Sequence, residues 1–397
     1  MKPNYGLLAA LYVSQYLGFS FFGVGLVAIL RDRGASLDEI ATLESLLLIW
    51  VAKPLWAPLV DRIGSYRRWL LVLQPLLAGV LLLATPLDPV RDLGLLMVVV
   101  GVVALLSATQ DIATDAIAVR MLESEQRGIG NGVQTAGGYL GGVLGGGLTL
   151  VVYDQFGWAA AIVTLAVATV LPLPQILRFR EPAARPVARR ASLRAVFRRP
   201  GMLRWILLVL PPCVVGLHGS YALITPMLVD LGWSLTSVGI TTNALGGFVG
   251  IFFGIAVGVL VSRFRRRSML VWTQCAQVPA ILLLAVAWFV SSSPAVLIAA
   301  MAVQAAMAAT ITIVFTVTMD LCAKESAATD FTVVSSFVMM VGIVGGIILT
   351  ALAEPLGYTT TLAGAAAIAL VGVVVALRYY QDSSPDAVAE PAVVRQV

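Results

Sequence analysis

Apolar residues arrive in runs of about twenty or more, over and over along the chain. A helix of that length, rising about 1.5 Å per residue, matches the roughly 30 Å hydrocarbon core of a bilayer. Twelve such runs are read, over 5–30, 40–59, 69–86, 93–121, 128–153, 158–177, 203–229, 237–261, 269–291, 295–322, 328–353 and 358–379. Lipid offers no partner to a bare backbone N–H or C=O, so a crossing segment is a helix or part of a closed barrel. Barrel strands would alternate apolar and polar residues over about ten positions, and these runs do not alternate. The expected fold is an all-α polytopic membrane protein with twelve transmembrane helices. The first run lacks a small-residue cleavage site and is expected to remain as a helix rather than act as a signal peptide.

Composition supports the same class. The chain is 59% hydrophobic and 12% charged, where a soluble domain carries about 25% charge. A soluble enzyme, a disordered chain and a secreted disulfide scaffold are excluded. Cys213, Cys275 and Cys322 all lie in apolar segments, which reads as small buried hydrophobes rather than disulfides.

The basic residues orient the chain. Of 26 Lys and Arg, only Arg31, Arg33 and Arg91 fall on the side away from the termini, and Lys53 falls inside a span. That bias puts both termini in the cytoplasm and makes the net charge of +5 a matter of topology, not of nucleic-acid binding. The middle of the chain is the most basic part. Residues 178–204 carry Arg178, Arg180, Arg185, Arg189, Arg190, Arg194, Arg198, Arg199 and Arg204 against the single acid Glu181. This connection reads as a linker resting on anionic lipid headgroups.

The two halves resemble each other. Leu30-Arg-Asp-Arg-Gly-Ala-Ser-Leu37 matches Leu228-Val-Asp-Leu-Gly-Trp-Ser-Leu235, and Leu59-Val-Asp-Arg62 matches Leu260-Val-Ser-Arg263. Both offsets are about half the length of 397. The expected organisation is an N-terminal six-helix bundle over 1–177, a basic linker over 178–202, a pseudo-symmetric C-terminal six-helix bundle over 203–381, and a disordered tail over 382–397. Repeats of this kind place a midplane site between two bundles in many secondary transporters.

Polar residues inside the runs mark candidate sites, because a charge there costs about 2.5–3.5 kcal/mol or more. Ser107, Gln110, Asp111, Thr114 and Asp115 share one helical face. Like charges one turn apart, both withdrawn from water, suit a proton-coupling pair; the bland alternative is a structural pair neutralised by Lys53 or Arg120. Asp111 is the preferred proton carrier, and Asp115, Glu44, Asp320 and Asp330 are further candidates. Asp330 also fits a helix cap. Lys53 is open between a cavity charge and a snorkelling side chain. Asn131, Gln134, Thr135 and Tyr139 form a second polar face, flanked by glycines at four-residue spacing that permit close helix packing. Gln15 and Tyr16 in the first run, the single histidine His218 with Tyr221 in the seventh, and Gln304 in the tenth complete the expected solute contacts. The glycines of 128–132 do not make a phosphate loop, since no strand precedes them and no Lys-Ser/Thr follows.

The loop Leu59-Val-Asp61-Arg62-Ile-Gly64-Ser-Tyr-Arg67-Arg68 resembles the signature between the second and third helices of the major facilitator superfamily. That resemblance implies a gating latch made by Asp61, Arg62, Gly64, Arg67, Arg68 and Arg120, and the major facilitator fold overall. The second-half copy has Ser262 in place of the aspartate, so the latch role is carried to the first copy alone. Ala108-Thr-Gln-Asp-Ile-Ala-Thr-Asp115, Gly130-Asn-Gly-Val-Gln134 and Ala328-Thr-Asp-Phe-Thr332 resemble a narrower group. It holds muropeptide permeases, acetyl-coenzyme A transporters and siderophore permeases of the rhizobactin and pyochelin type, and the motif forms look closest to the siderophore branch. The resemblance implies a secondary active transporter of the bacterial inner membrane, a proton-coupled importer of a siderophore-like solute. The alternatives are a muropeptide or acyl-coenzyme A permease and a proton-antiport exporter. Solute, protons and lipid are the expected partners and a monomer the expected unit. An enzyme is not expected: no nucleophile elbow, His-Glu-x-x-His run, metal-ligand cluster or cofactor motif is present in the sequence.

Overall fold

A computed structural model describes residues 3–63, 65–181 and 191–380; Gly64, the linker centre and the expected tail over 382–397 lie outside the described residues. Helices joined by short turns make up the described residues, without strands. The first half contains α1 (Tyr5–Asp32), α2 (Leu37–Ser45), α3 (Ala57–Arg62), α4 (Tyr66–Leu82), α5 (Leu93–Met121), α6 (Ser124–Gly142), α7 (Thr149–Val170) and α8 (Leu173–Arg178). Within the stretch read as linker lies α9 (Leu193–Phe197), and then come α10 (Met202–Asp230), α11 (Ser237–Arg263), α12 (Arg266–Phe289), α13 (Ser293–Leu321), α14 (Ala327–Leu356) and α15 (Tyr358–Tyr379).

Nine stretches among the described residues are long and apolar enough to cross a bilayer unaided. One of them, Ser124–Arg178, runs for 55 residues, more than twice the roughly 20 residues one crossing needs. Gly157 divides it, with φ at 81°, a backbone that only glycine adopts cheaply. The second crossing is interrupted: 3-10 turns at Leu46–Trp50 and Lys53–Leu55 separate α2 from α3. Pro54 and Pro58 start the following turns, where a missing N–H costs nothing. With α4, 17 residues long, these segments accommodate the twelve expected crossings.

The internal repeat is visible in backbone detail. Gly34 and Gly232 sit at matching places with φ of 89° and 85°. Each is followed by the same turn, Ala35 N–H donating to Leu30 O at 2.9 Å and Trp233 N–H to Leu228 O at 3.1 Å. Ser36 and Ser234 then cap the next helix through their hydroxyls.

Glycine sets how closely the helices meet. A Cβ on Gly141 would lie 2.7 Å from Val13 O, and one on Gly145 2.2 Å from Leu17 O, so that ladder seats α6 on α1 within the first half. Nearer its start α6 meets the second half instead. A Cβ on Gly132 would stand 2.7 Å from Gly254 O, and one on Gly258 2.8 Å from Gly128 O. Backbone cannot retreat as a flexible side chain does. Gly132→Ala should therefore destabilise the protein by about 1–3 kcal/mol, read as a lower unfolding temperature, whereas Gly79→Ala, with nothing within 4 Å, should not. Equal responses would refute a tight seam between halves.

Candidate functional site

The face read from 107–115 is buried against α1, the broken second crossing and α6. Asp111, 3% exposed, forms an ion pair with Lys53 Nζ and accepts a hydrogen bond from Gln15 Nε2 at 2.7 Å. Lys53 reaches it because the interruption between α2 and α3 turns the side chain inward. Its ammonium also lies 5.0 Å above the Trp50 ring, a favourable cation–π contact. One turn along α5, Asp115 accepts from Tyr12 OH at 3.1 Å and Gln134 Nε2 at 3.0 Å, both on Oδ1. The cluster thus holds two carboxylates and one ammonium. Among the described residues no salt bridge reaches Asp115. Fully ionised, the cluster carries one uncompensated negative charge out of water, which is costly, and a proton on Asp115 removes that charge.

Losing Lys53 would leave Asp111 buried without its counter-ion, a change worth about 3–5 kcal/mol in comparable sites. Lys53→Met should lower the unfolding temperature sharply, and Lys53→Met with Asp111→Asn should recover most of the loss. A double variant no better than the single one would refute the pairing.

Beside this cluster lies an aromatic shelf. Trp50 packs against Phe19, with ring centroids 4.9 Å apart, and against Tyr16 at 6.1 Å. Tyr16, Phe19, Ser20, Leu47 and the exposed Glu44 line a pocket of about 360 Å³. Glu44 is therefore not part of the buried charge cluster. Across the seam the Tyr139 ring packs against Gly250 of α11, and Thr135 Oγ1 meets Thr312 Oγ1 at 2.9 Å. His218 is half-buried, with its ring against Gly342 and Nδ1 3.1 Å from Val214 O. Gln304 is buried beside Gly246, and Tyr221 is 40% exposed. Gln15 and Gln134, expected as solute contacts, spend their amide N–H groups on the carboxylates. Among the described residues, each keeps a buried carbonyl without a partner.

The arginine-rich end is sealed between the halves. Asp61 accepts from Ala328 N–H at 3.1 Å and from Thr329 N–H at 2.8 Å, at the start of α14, and also from the Thr329 and Tyr66 hydroxyls. A carboxylate is favoured at a helix N-terminus. Arg120 lies 4.1 Å over the Tyr66 ring, pairs with Glu181 at 3.0 Å and donates to Lys324 O at 2.9 Å. Arg67 donates to the carbonyls of Ile176 and Leu177, and Arg62 to that of Ala191. Arg68 is exposed.

Asp320 and Asp330, the further coupling candidates, lie at the arginine-rich end. Asp320 bridges Arg127 at 2.8 Å and Arg266 at 2.9 Å. Asp330 pairs with Arg199 at 2.7 Å and accepts from Ala323 N–H and the Ser326 hydroxyl. Both carboxylates are compensated inside the seal, apart from the Asp111–Asp115 cluster. Lys324 reaches Glu123 at 2.9 Å, and that hydrogen bond holds the Glu123 carboxyl below its ordinary value. Among the described residues, the hydrogen bonds and ion pairs between the halves lie between this end and the depth of Trp50–Ser336 and Thr135–Thr312.

Sequence reasoning missed Trp50 and Glu181. Trp50 precedes Lys53 by three residues, a spacing that puts both on one helical side, and Glu181 is the lone acid among the linker arginines. Either pattern was available as a signal.

A family model, the Major Facilitator Superfamily, matches residues 8–273 and 213–395. The chain belongs to the major facilitator superfamily. The anhydromuropeptide permease of Escherichia coli is 28% identical over 66% of this chain and 56% of its own length. An uncharacterised protein of Haemophilus influenzae is 27% identical over 58% of each chain. A putative transporter, AmpG 4, of Rickettsia felis is 22% identical over 77% of this chain and 80% of its own. The match thus spans a little over half the length of the first two relatives. Among solved structures, the E. coli fucose:proton symporter superposes with a TM-score of 0.73 at 14% identity, covering 95% of this chain and 98% of its own. A bacterial homologue of the iron transporter ferroportin, in an outward-facing state, gives 0.69 at 14% identity over 94% and 98%. Those likenesses carry the fold. This superfamily member resembles the muropeptide permease group; its motifs pointed more narrowly to the siderophore branch, whereas the relative with a named solute transports anhydromuropeptide.

Proposed function

We propose that this transporter is a proton-coupled importer of a medium-sized organic solute of the muropeptide kind, and that Asp115 carries the coupling proton. The observation behind this reading is the charge cluster: Lys53 compensates Asp111, while Asp115 has only neutral donors among the described residues. The aromatic shelf of Tyr16, Phe19 and Trp50 supports a solute with ring faces to stack, and the spare amide carbonyls of Gln15 and Gln134 would orient it. Tyr139, His218, Tyr221 and Gln304 are the proposed contacts from the seam and the second half. The polar seal at one end favours a state open at the other. With the arginine-rich end in the cytoplasm, that state faces outward and both termini face inward. The protein would work as a monomer in the inner membrane.

The test is uptake into proteoliposomes with and without an inward proton gradient, comparing anhydromuropeptide with an iron-loaded siderophore. Gradient-driven anhydromuropeptide accumulation is expected. Accumulation of the iron chelate alone would restore the siderophore reading. Uptake of either solute indifferent to the gradient would remove the coupling.

A further inference from the structure

We propose that the arginine-rich end holds a binding site for the phosphate of an anionic phospholipid, set between the start of α4 and the end of α8. A pocket of about 640 Å³ opens there, lined by Ser65, Arg67, Arg68, Arg178, Arg180 and Glu181. Its charges are not balanced. Glu181 is occupied by Arg120 and by the Arg67 N–H, and Arg67 is turned onto the two α8 carbonyls. Arg68, Arg178 and Arg180 are exposed and, among the described residues, have no side-chain partner. Three guanidinium groups around one hollow match a phosphate, which accepts bidentate hydrogen bonds from arginine. Basic pockets at the ends of membrane helices select anionic headgroups.

The apolar rim favours a lipid over a soluble phosphate. Leu177, which also lines the pocket, is 61% exposed, and Ile63, two residues before Ser65, is 52% exposed. Acyl chains would cover both while the phosphate sits among the arginines. Glu181 forms one wall and, through Arg120, is tied to Lys324 of the second half. Occupancy would thus favour the sealed arrangement in which that wall is held.

The experiment is a thermal-unfolding titration of the full chain in detergent with phosphatidylglycerol, phosphatidylcholine and inorganic phosphate. Phosphatidylglycerol should stabilise and the other two should not. Arg178→Gln with Arg180→Gln should weaken the apparent affinity by about tenfold or more. Removing two arginines elsewhere on the same face, Arg204→Gln with Arg378→Gln, should leave it unchanged. Equal stabilisation by inorganic phosphate would assign the pocket to a soluble anion and overturn the lipid. An unchanged response in the first double variant, or an equal loss in the control, would overturn the site.

Discussion

Asp115→Asn should abolish gradient-driven accumulation while leaving solute exchange intact. One pH unit is worth about 1.36 kcal/mol, so one proton per solute drives about a tenfold concentration ratio for each unit of gradient. The variant should bring that ratio to about one and flatten the pH dependence of uptake. Asparagine still accepts from Tyr12 and Gln134 in the volume of the aspartate, so the buried network survives without the titrating group. Asp111 was the sequence's preferred carrier, and its variant should behave differently. Asp111→Asn strands the Lys53 ammonium, which can then turn to Asp115, so uptake and stability should fall together. Counter-flow and gradient-driven uptake measured side by side separate the two outcomes. An Asp115→Asn protein that still concentrates solute with the wild-type pH profile would end the assignment.

Much of the fold was legible because the bilayer leaves so few solutions. A run of apolar residues has to be a helix there, and a carboxylate within it has to look inward. The face 107–115 followed from helical spacing, and the repeat at Gly34 and Gly232 from matching residues that the backbone then uses identically. What the sequence did not carry was which charges meet. Lys53 and Asp111 are 58 residues apart, and their contact depends on how the break between α2 and α3 rotates one side chain. Asp320 and Asp330 looked like Asp111 on paper, as carboxylates in or near a span. Their arginines come from three other elements, α6, α12 and the segment after α9, which no local pattern reveals. The solute branch was read from a few motif letters on α5 and α6. Those letters build a charge cluster and a seam, features that say little about the solute.

The seal makes the second large prediction: Asp61→Asn should open the arginine-rich end. Asp61 accepts from two backbone N–H groups and a hydroxyl of the other half, and from Tyr66 of its own. Hydrogen bonds to a charged acceptor contribute about 1.5–3 kcal/mol each. Asparagine removes the charge and would turn an N–H₂ group toward donors already facing it. Losing even one or two such bonds shifts the balance between sealed and open states by at least about tenfold. Cys322 is a native reporter. It is 7% exposed and sits in a cluster of residues from both halves, with Tyr66, Phe331 and Ile117. Separating the halves at this end strips that cover. In a Cys275→Ser background, a membrane-impermeant maleimide applied to the arginine-rich face should label Cys322 at least about tenfold faster in Asp61→Asn. Asp88→Asn alters a carboxylate whose partners, Arg33 and the Val90 and Arg91 N–H groups, all lie in its own half, and it should not change the rate. Solute transport should slow in the Asp61 variant, because a transporter that cannot reseal this end cannot return to load at the other. If Cys322 stays as protected as in the native protein, Asp61 is only a helix cap, and the seal must rest on Arg120 and the Asp320 bridges instead.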